Sequence, residues 1–516
     1  MCKPYHKGLS RILLLLLALC LALSSLSACR RPVDDTPAPE QQAAAPSTTI
    51  TPAPEFTPTP APTPVPEPPY KGDGSTYTYI MTDERDRAWE EDIVYLADTF
   101  LHYLNGHPRL IDRQCLVNRL DGDAVGEGKT TYANLYDPAL RDEFIRHINA
   151  LILRIPDSSD AELLFGCSEA TALLGDAHSG IRLSWDEVFP LGLVLLYAED
   201  VPEAYIVAAP KGYEDLLLCR LDAINDVSIS EIITRAARVI PHENLYLVQN
   251  ELFYSSNSKA RPCPMLGCDL LRYIGVLGEE NTAEFSITDE SGSTRKIELS
   301  SCQKDSLPAF ASYPSPSDTD ASISLQLMDS DPEASGWYRI VDDGKALYIR
   351  IRSCTSDSGT IVRKAVKAAA AEDALETLIV DFRGNRGGTS VAYKTIVAAV
   401  NSLDVSGGKY VLIDGGVCSS TIIFSVYLKR YCKGVMLVGT PAGEPCNETF
   451  ETRGYTSPNQ KLKFNMARLK QFYMWPGYDE VALMPDILIG QSLEDYQNGV
   501  DSVLRYILRE ESRADT

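Results

Sequence analysis

Two serines, Ser419 and Ser420, stand where the apolar run Tyr410–Ile413 ends in Gly415-Gly416 and a helical pattern opens, in KYVLIDGGVCSSTIIFSVYLKRY. A serine at such a turn can cap the helix by accepting an N–H from its first turn. It can also be a nucleophile. At a strand-to-helix turn its hydroxyl is exposed, beside helix N–H groups that have no intrahelical acceptor and can hold an oxyanion. Both readings use the same local pattern, so the choice between them depends on what the rest of the chain brings alongside.

Earlier in the chain, LIVDFRGNRGG (Leu378–Gly388) joins an apolar strand to a Gly-rich loop. Such loops often cradle phosphates, but neither G-x-G-x-x-G nor G-x-x-x-x-G-K-[ST] spacing is present. GEGKTT at 126–131 fails as well: no strand precedes it, and Gly122 sits one residue out of place. The glycines at 387–388 better suit the approach of a backbone N–H to a substrate carbonyl. After the serines come VGTPAGEPCNE and MPDILI. Of the six histidines, His6 lies in the leader, and His102, His107, His147 and His242 have no motif around them. His178 lies in GDAHSGIR and suits a general base near neutral pH. Lys394 and Lys429 fall on predicted helices, with their amines on solvated faces.

Three blocks must carry these residues. From Asp83, Trp89, Ile93, Leu96, Phe100 and Leu104 share one helical face. A second helix opens at Asp137-Pro138, and a third at Ser159 with Glu162 completing a capping box, stopping at Gly175. This gives a helical domain over 76–185. Residues 186–305 mix short strand-like runs (LGLVLLYA, AYIVAA, AEFSITD, TRKIELS) with helical pieces at Ser230–Ile240 and Cys268–Leu277. Over 306–516, from Trp337 onward, β and α patterns alternate, which predicts a layered core of mostly parallel strands. The fold class expected is multidomain α/β. No internal repeat is visible.

Around these blocks the chain carries an address. Lys3, Lys7 and Arg11 precede ILLLLLALCLAL, an apolar run short for a membrane span, and then Leu26-Ser27-Ala28-Cys29. Small residues before a cysteine there resemble the bacterial lipobox. The resemblance implies a signal peptide over 1–28, lipidation of Cys29, and a cell-membrane location on the extracytoplasmic face. Residues 29–75 are rich in Pro, Ala, Thr and Glu and form a linker; in polyproline form, at ~3.1 Å per residue, it reaches on the order of 100 Å. The net charge of -23, with no basic stripe, argues against a nucleic-acid partner. The cysteines show no paired framework, and Cys263 and Cys268 lack partners at a metal-ligand spacing.

Read in order, GDAHSGI, LIVDFRGNRGG, VCSST, VGTPAGEPCN and MPDILIGQSLEDYQNGVDSVLRYIL resemble the tail-specific (C-terminal processing) serine peptidases, in their bacterial lipoprotein branch. The resemblance spans roughly 85–510. It implies a crotonase-like α/β core at 306–516, a PDZ-like α+β insert at 186–305 and the amino-terminal helical domain. It also implies Ser419 as nucleophile, with Gly387 or Gly388 and the Ser420 N–H as oxyanion donors. Many members place a lysine base in the turn after the VG strand, where this chain has Glu444-Pro445. A second branch, similar to the tricorn core peptidase, uses a histidine in D-x-H, which Asp176-Ala177-His178 fits. Its orienting acid falls on Asp479, with Glu480 as the neighbouring candidate. The implied activity is hydrolysis of peptides or proteins, with no metal or organic cofactor. The alternative is an impaired member that binds peptides through its cleft and PDZ-like insert. A purely structural surface protein explains the linker but not the ordered Gly and Ser turns.

Overall fold

The computed structural model describes residues 68–104, 115–116, 129–132, 138–198, 201–253, 266–313, 319–372, 374–447, 449–467, 469–472 and 481–511. Cys29, Asp479 and Glu480, and with them the expectations of a lipid anchor and an orienting acid, lie outside these residues. Among the described residues no helix is long and apolar enough to cross a membrane.

The last block is built on a six-stranded sheet in the order Gly336–Val341, Ala346–Ile351, Thr377–Asp381, Lys409–Ile413, Val435–Gly439, Ile487–Leu488. The first pair is antiparallel and every later pair is parallel. Apolar runs with no polar alternation are what strands covered on both faces require. Thr377–Asp381 and Lys409–Ile413 are buried along their whole length. Alternate side chains serve opposite layers. Leu378, Val380, Val411 and Ile413 meet the helices Ser358–Ala369, Tyr393–Ser402 and Ser420–Tyr431. Ile379, Tyr410 and Leu412 meet Val503, Leu504 and Ile507 near the carboxyl end. Each such buried aliphatic side chain contributes roughly 1.5–3 kcal/mol, so the strand ends that carry the serine turn are firmly held.

The amino-terminal helices run over Glu84–Leu104, Pro138–Leu153 and Asp160–Ala172. The apolar face read from the first is buried: Trp89, Ile93, Leu96 and Phe100 are each 2% exposed or less. The Ser159–Glu162 capping box is formed in both directions. Their core is completed by Leu462, Phe464 and Met466, from a hairpin near the other end of the chain. That hairpin also pairs Phe464 with Ile181, just past His178, so the helical layer and the histidine turn share one clamp.

In the middle block, the strands Gly192–Ala198, Val201–Pro210, Thr282–Thr288 and Thr294–Ser300 form where the sequence indicates. The strand Arg220–Ile224 and the helix Leu245–Phe253 were not anticipated. Together they enclose a separate apolar core. Cys167, Cys219, Cys268, Cys302, Cys354 and Cys432 form no disulfide.

Candidate active site

The Gly-rich loop is fixed from beneath by charge. Asp381, fully buried, pairs with Arg350 and Arg383, and Arg383 reaches on to Asp501. Burial alone would raise the Asp381 carboxyl, but the Arg383 and Arg350 guanidinium groups and the Tyr348 hydroxyl outweigh it and hold it at about 2. Arg386 pairs with Glu251 on the Leu245–Phe253 helix. Asp414, at the end of the serine strand, accepts the N–H groups of Gly384 at 2.7 Å and Gly416 at 2.9 Å. One carboxylate therefore ties the two loops together.

Gly387 has φ 94°, and a Cβ there would lie 2.6 Å from the Ser419 Cβ, so the loop touches the serine only because it is glycine. At Gly388 (φ 136°) a Cβ would meet the Cys354 carbonyl oxygen at 2.2 Å. The two glycines are not equivalent as hydrogen-bond donors. The Gly387 N–H is taken by the Asn385 side chain at 2.9 Å, whereas no acceptor among the described residues takes the Gly388 N–H. Of the two glycines expected as oxyanion donors, Gly388 is the one whose N–H has no acceptor among the described residues.

Ser419 stands before the Ser420–Tyr431 helix with φ 55° and ψ −131°, and its side chain makes no capping hydrogen bond. A non-glycine residue held there costs of order 1–3 kcal/mol and persists only where its surroundings impose it. What imposes it is Glu444, whose Oε2 accepts the Ser419 N–H at 2.5 Å. The helix-cap reading is therefore removed: a carboxylate from another turn takes the serine's own N–H, and among the described residues the serine's hydroxyl has no hydrogen-bond partner. Ser420, first in the helix, has an N–H with no acceptor among the described residues. Its hydroxyl donates to the Gly388 carbonyl at 2.8 Å, so it braces the loop, a role the sequence does not announce.

His178 sits in a tight turn after the third helix. Its N–H donates to Asp176 Oδ1 at 2.9 Å, and the Thr449 hydroxyl donates to the same oxygen. The His178 side chain is 13% exposed, with Nδ1 3.4 Å from Glu444 Oε1. That is close enough for attraction, but its alignment is too poor for a hydrogen bond. One buried carboxylate thus reaches the Ser419 backbone with one oxygen and the His178 ring with the other. No hydrogen bond joins the Ser419 hydroxyl to the ring. Catalytic hydrogen bonds are often loose without substrate and tighten in its presence.

Glu444 is the residue that sequence reading missed. It was weighed only as a failed lysine, yet it is 2% exposed and central. The one available signal is its place in the turn where many members of the family that the sequence resembles keep a lysine. Glu243 was missed too. Burial, with the Glu444 and Asp176 charges nearby, pushes its carboxyl well above the usual range. The lysines weighed as bases are engaged elsewhere: Lys429 pairs with Asp486 and Lys394 lies over the Tyr393 ring, while the Lys409 amine donates to the Val400 carbonyl.

Beside the site, a cavity of about 380 Å³ opens between Leu193, Tyr197, Tyr246, Phe253 and the strand ends Asp414 and Gly439. Neither Ser419 nor His178 lines it. The cavity joins the middle block to the carboxyl ends of the parallel strands, where open α/β sheets hold ligands.

The architecture is similar to that of mature CPAF, an S41 C-terminal processing peptidase, with TM-score 0.51 at 11% identity over 83% of this chain and 97% of that one. The photosystem II D1 C-terminal processing protease matches at TM-score 0.31 and 11% identity, over 83% of this chain and 98% of its own. The tricorn protease matches at TM-score 0.36 and 12% identity, over 83% of this chain and 37% of its own. At such identities the likeness is one of fold. No family model matches the sequence, and no curated protein sequence matches it significantly.

Proposed function

We propose that the chain is a serine peptidase of the extracytoplasmic face, with a crotonase-like catalytic core over 306–516, a PDZ-like insert over 186–305 and a helical domain over 76–185. Ser419 attacks the peptide carbonyl, and His178 takes its proton and returns it to the leaving amine. The N–H groups of Ser420 and Gly388 hold the oxyanion, each worth roughly 3 kcal/mol. The proposal assigns orientation of the imidazole to a carboxylate, either Asp479, on the family resemblance, or Glu444. The observation that carries the reading is the strained, non-capping Ser419, tied to the His178 turn through a single buried carboxylate. The cavity beside the strand ends suits an apolar portion of the substrate.

A peptide-binding protein without turnover is the second reading, and the misaligned His178–Glu444 contact favours it. A fluorophosphonate probe separates the two, because it needs an activated serine and no known substrate. Labelling is expected in the wild type and absent in Ser419→Ala. Ser420→Ala should label more slowly, by about fivefold, since its hydroxyl secures the Gly388 carbonyl with a hydrogen bond worth about 1 kcal/mol. A wild type that never labels would leave the binding reading standing.

For the address, Cys29 carries the proposal of a lipid anchor. Metabolic labelling with a fatty acid should mark the protein, and Cys29→Ser should abolish the mark. Labelling that persists in Cys29→Ser sinks the anchor.

A further inference from the structure

We propose that Asp176, His178 and Glu243 form a binding site for one divalent cation of the zinc class, and that filling it removes His178 from peptide hydrolysis; the second half rests on the function proposed above. One donor atom from each of the three lies within 4.8 Å of the other two. Zinc bonds of about 2.0–2.2 Å place tetrahedral donors roughly 3.4 Å apart, so the widest pair closes by about 1.4 Å at most. Side-chain rotation alone supplies that.

The donors are also largely unspent. Asp176 is 1% exposed, and its Oδ2 has no partner; both Glu243 oxygens and His178 Nδ1 are likewise sealed from solvent without a well-formed hydrogen bond, the nearest donors to the Glu243 carboxylate being the backbone N–H groups of Ala177 and of Glu243 itself. Unpaired buried carboxylates are costly, and among the described residues no Lys or Arg pairs with Asp176, Glu243 or Glu444. A divalent cation offsets that charge where no side chain does.

The supports resemble those of a ligand set. Asp176 Oδ1 is held by the His178 N–H and the Thr449 hydroxyl, which leaves Oδ2 to turn inward. Next to Glu243, Asn244 is fastened to the Ala442 and Val481 carbonyls. One imidazole and two carboxylates favour zinc or cobalt over magnesium and calcium, which seek oxygen alone. The sequence reading foresaw no metal because Glu243 comes from a separate segment, outside any ligand spacing. The consequence for catalysis is direct: a neutral imidazole has one lone pair, and a cation that takes it leaves none for the Ser419 proton.

The test uses the full chain, stripped with chelator and titrated with zinc chloride by calorimetry. The expected result is one ion per chain, no heat from magnesium chloride at the same concentration, and affinity at least about tenfold weaker in Glu243→Gln and Asp176→Asn. Circular dichroism checks that both variants fold. In the wild type, zinc should also protect His178 from diethyl pyrocarbonate, a readout that needs no variant. One equivalent of zinc should suppress fluorophosphonate labelling of Ser419. Absence of zinc binding, or binding unchanged in folded Glu243→Gln, overturns the site. Labelling that proceeds at zinc saturation overturns its inhibitory role. Zinc binding with no labelling even in the stripped protein keeps the site and removes the peptidase reading instead.

Discussion

On the proposed mechanism, His178→Ala is expected to lower kcat/KM on a peptide substrate by about three to six orders of magnitude, the range seen when a serine peptidase loses its base. A serine hydroxyl is a weak nucleophile until a neighbouring base takes its proton, and the same group must then protonate the leaving amine. His178 is the one candidate base that meets Glu444, and Glu444 meets Ser419. Neither Lys394 nor Lys429 offers a substitute. Lys429 is engaged with Asp486, and Lys394 sits against Tyr393, so Lys429→Ala and Lys394→Ala should change kcat/KM less than about twofold, as surface changes away from a site do. Initial rates with each purified variant decide the matter, with melting temperatures to exclude collapse of the turn. His178→Ala that keeps full activity would sink the mechanism. A lysine variant that lost activity would move the base.

What the sequence disclosed follows from the range of the forces involved. The Ser159–Glu162 capping box and the 3.6-residue face through Trp89, Ile93 and Phe100 are local, and they stand where their spacing says. The parallel strands were legible because burial on both faces leaves unbroken apolar runs. The Leu245–Phe253 helix was hidden: five of its residues, including the polar Asn250, are buried between two blocks, so it shows no clean amphipathic face. The packing of Phe464 into the amino-terminal helices is a contact between distant segments, which no periodicity encodes. The candidate site divides the same way. Ser419, His178 and the Gly-rich loop announce themselves through motif, whereas Glu444 and Glu243 acquire meaning only when distant turns meet. Residue type misled most at Glu444, since a carboxylate in a lysine's place reads as a loss until its partners are known.

Glu444→Gln is therefore the change that tests this part of the site most sharply, with an expected fall in kcat of about 10⁴-fold and a small change in KM. Glutamine keeps the size and can still accept the Ser419 N–H through its carbonyl oxygen. Its amide group then faces His178 Nδ1, where Glu444 Oε1 now lies at 3.4 Å. Two N–H donors cannot face each other, so Nδ1 must become the acceptor and the ring proton shifts to Nε2, the nitrogen left to receive the serine's proton. The fold survives, while the tautomer is wrong. Glu444→Ala differs in kind: it orphans the Ser419 N–H and removes what imposes φ 55° on that residue, so thermal stability should fall along with activity, by roughly 1–3 kcal/mol. Asp479→Asn is the counter-test. If Glu444 is the positioning residue, Asp479→Asn costs far less than Glu444→Gln. Should Asp479→Asn prove the more damaging while Glu444→Gln merely lowers the melting temperature, the orienting acid is Asp479, and Glu444 is the brace that holds Ser419 in its strained turn.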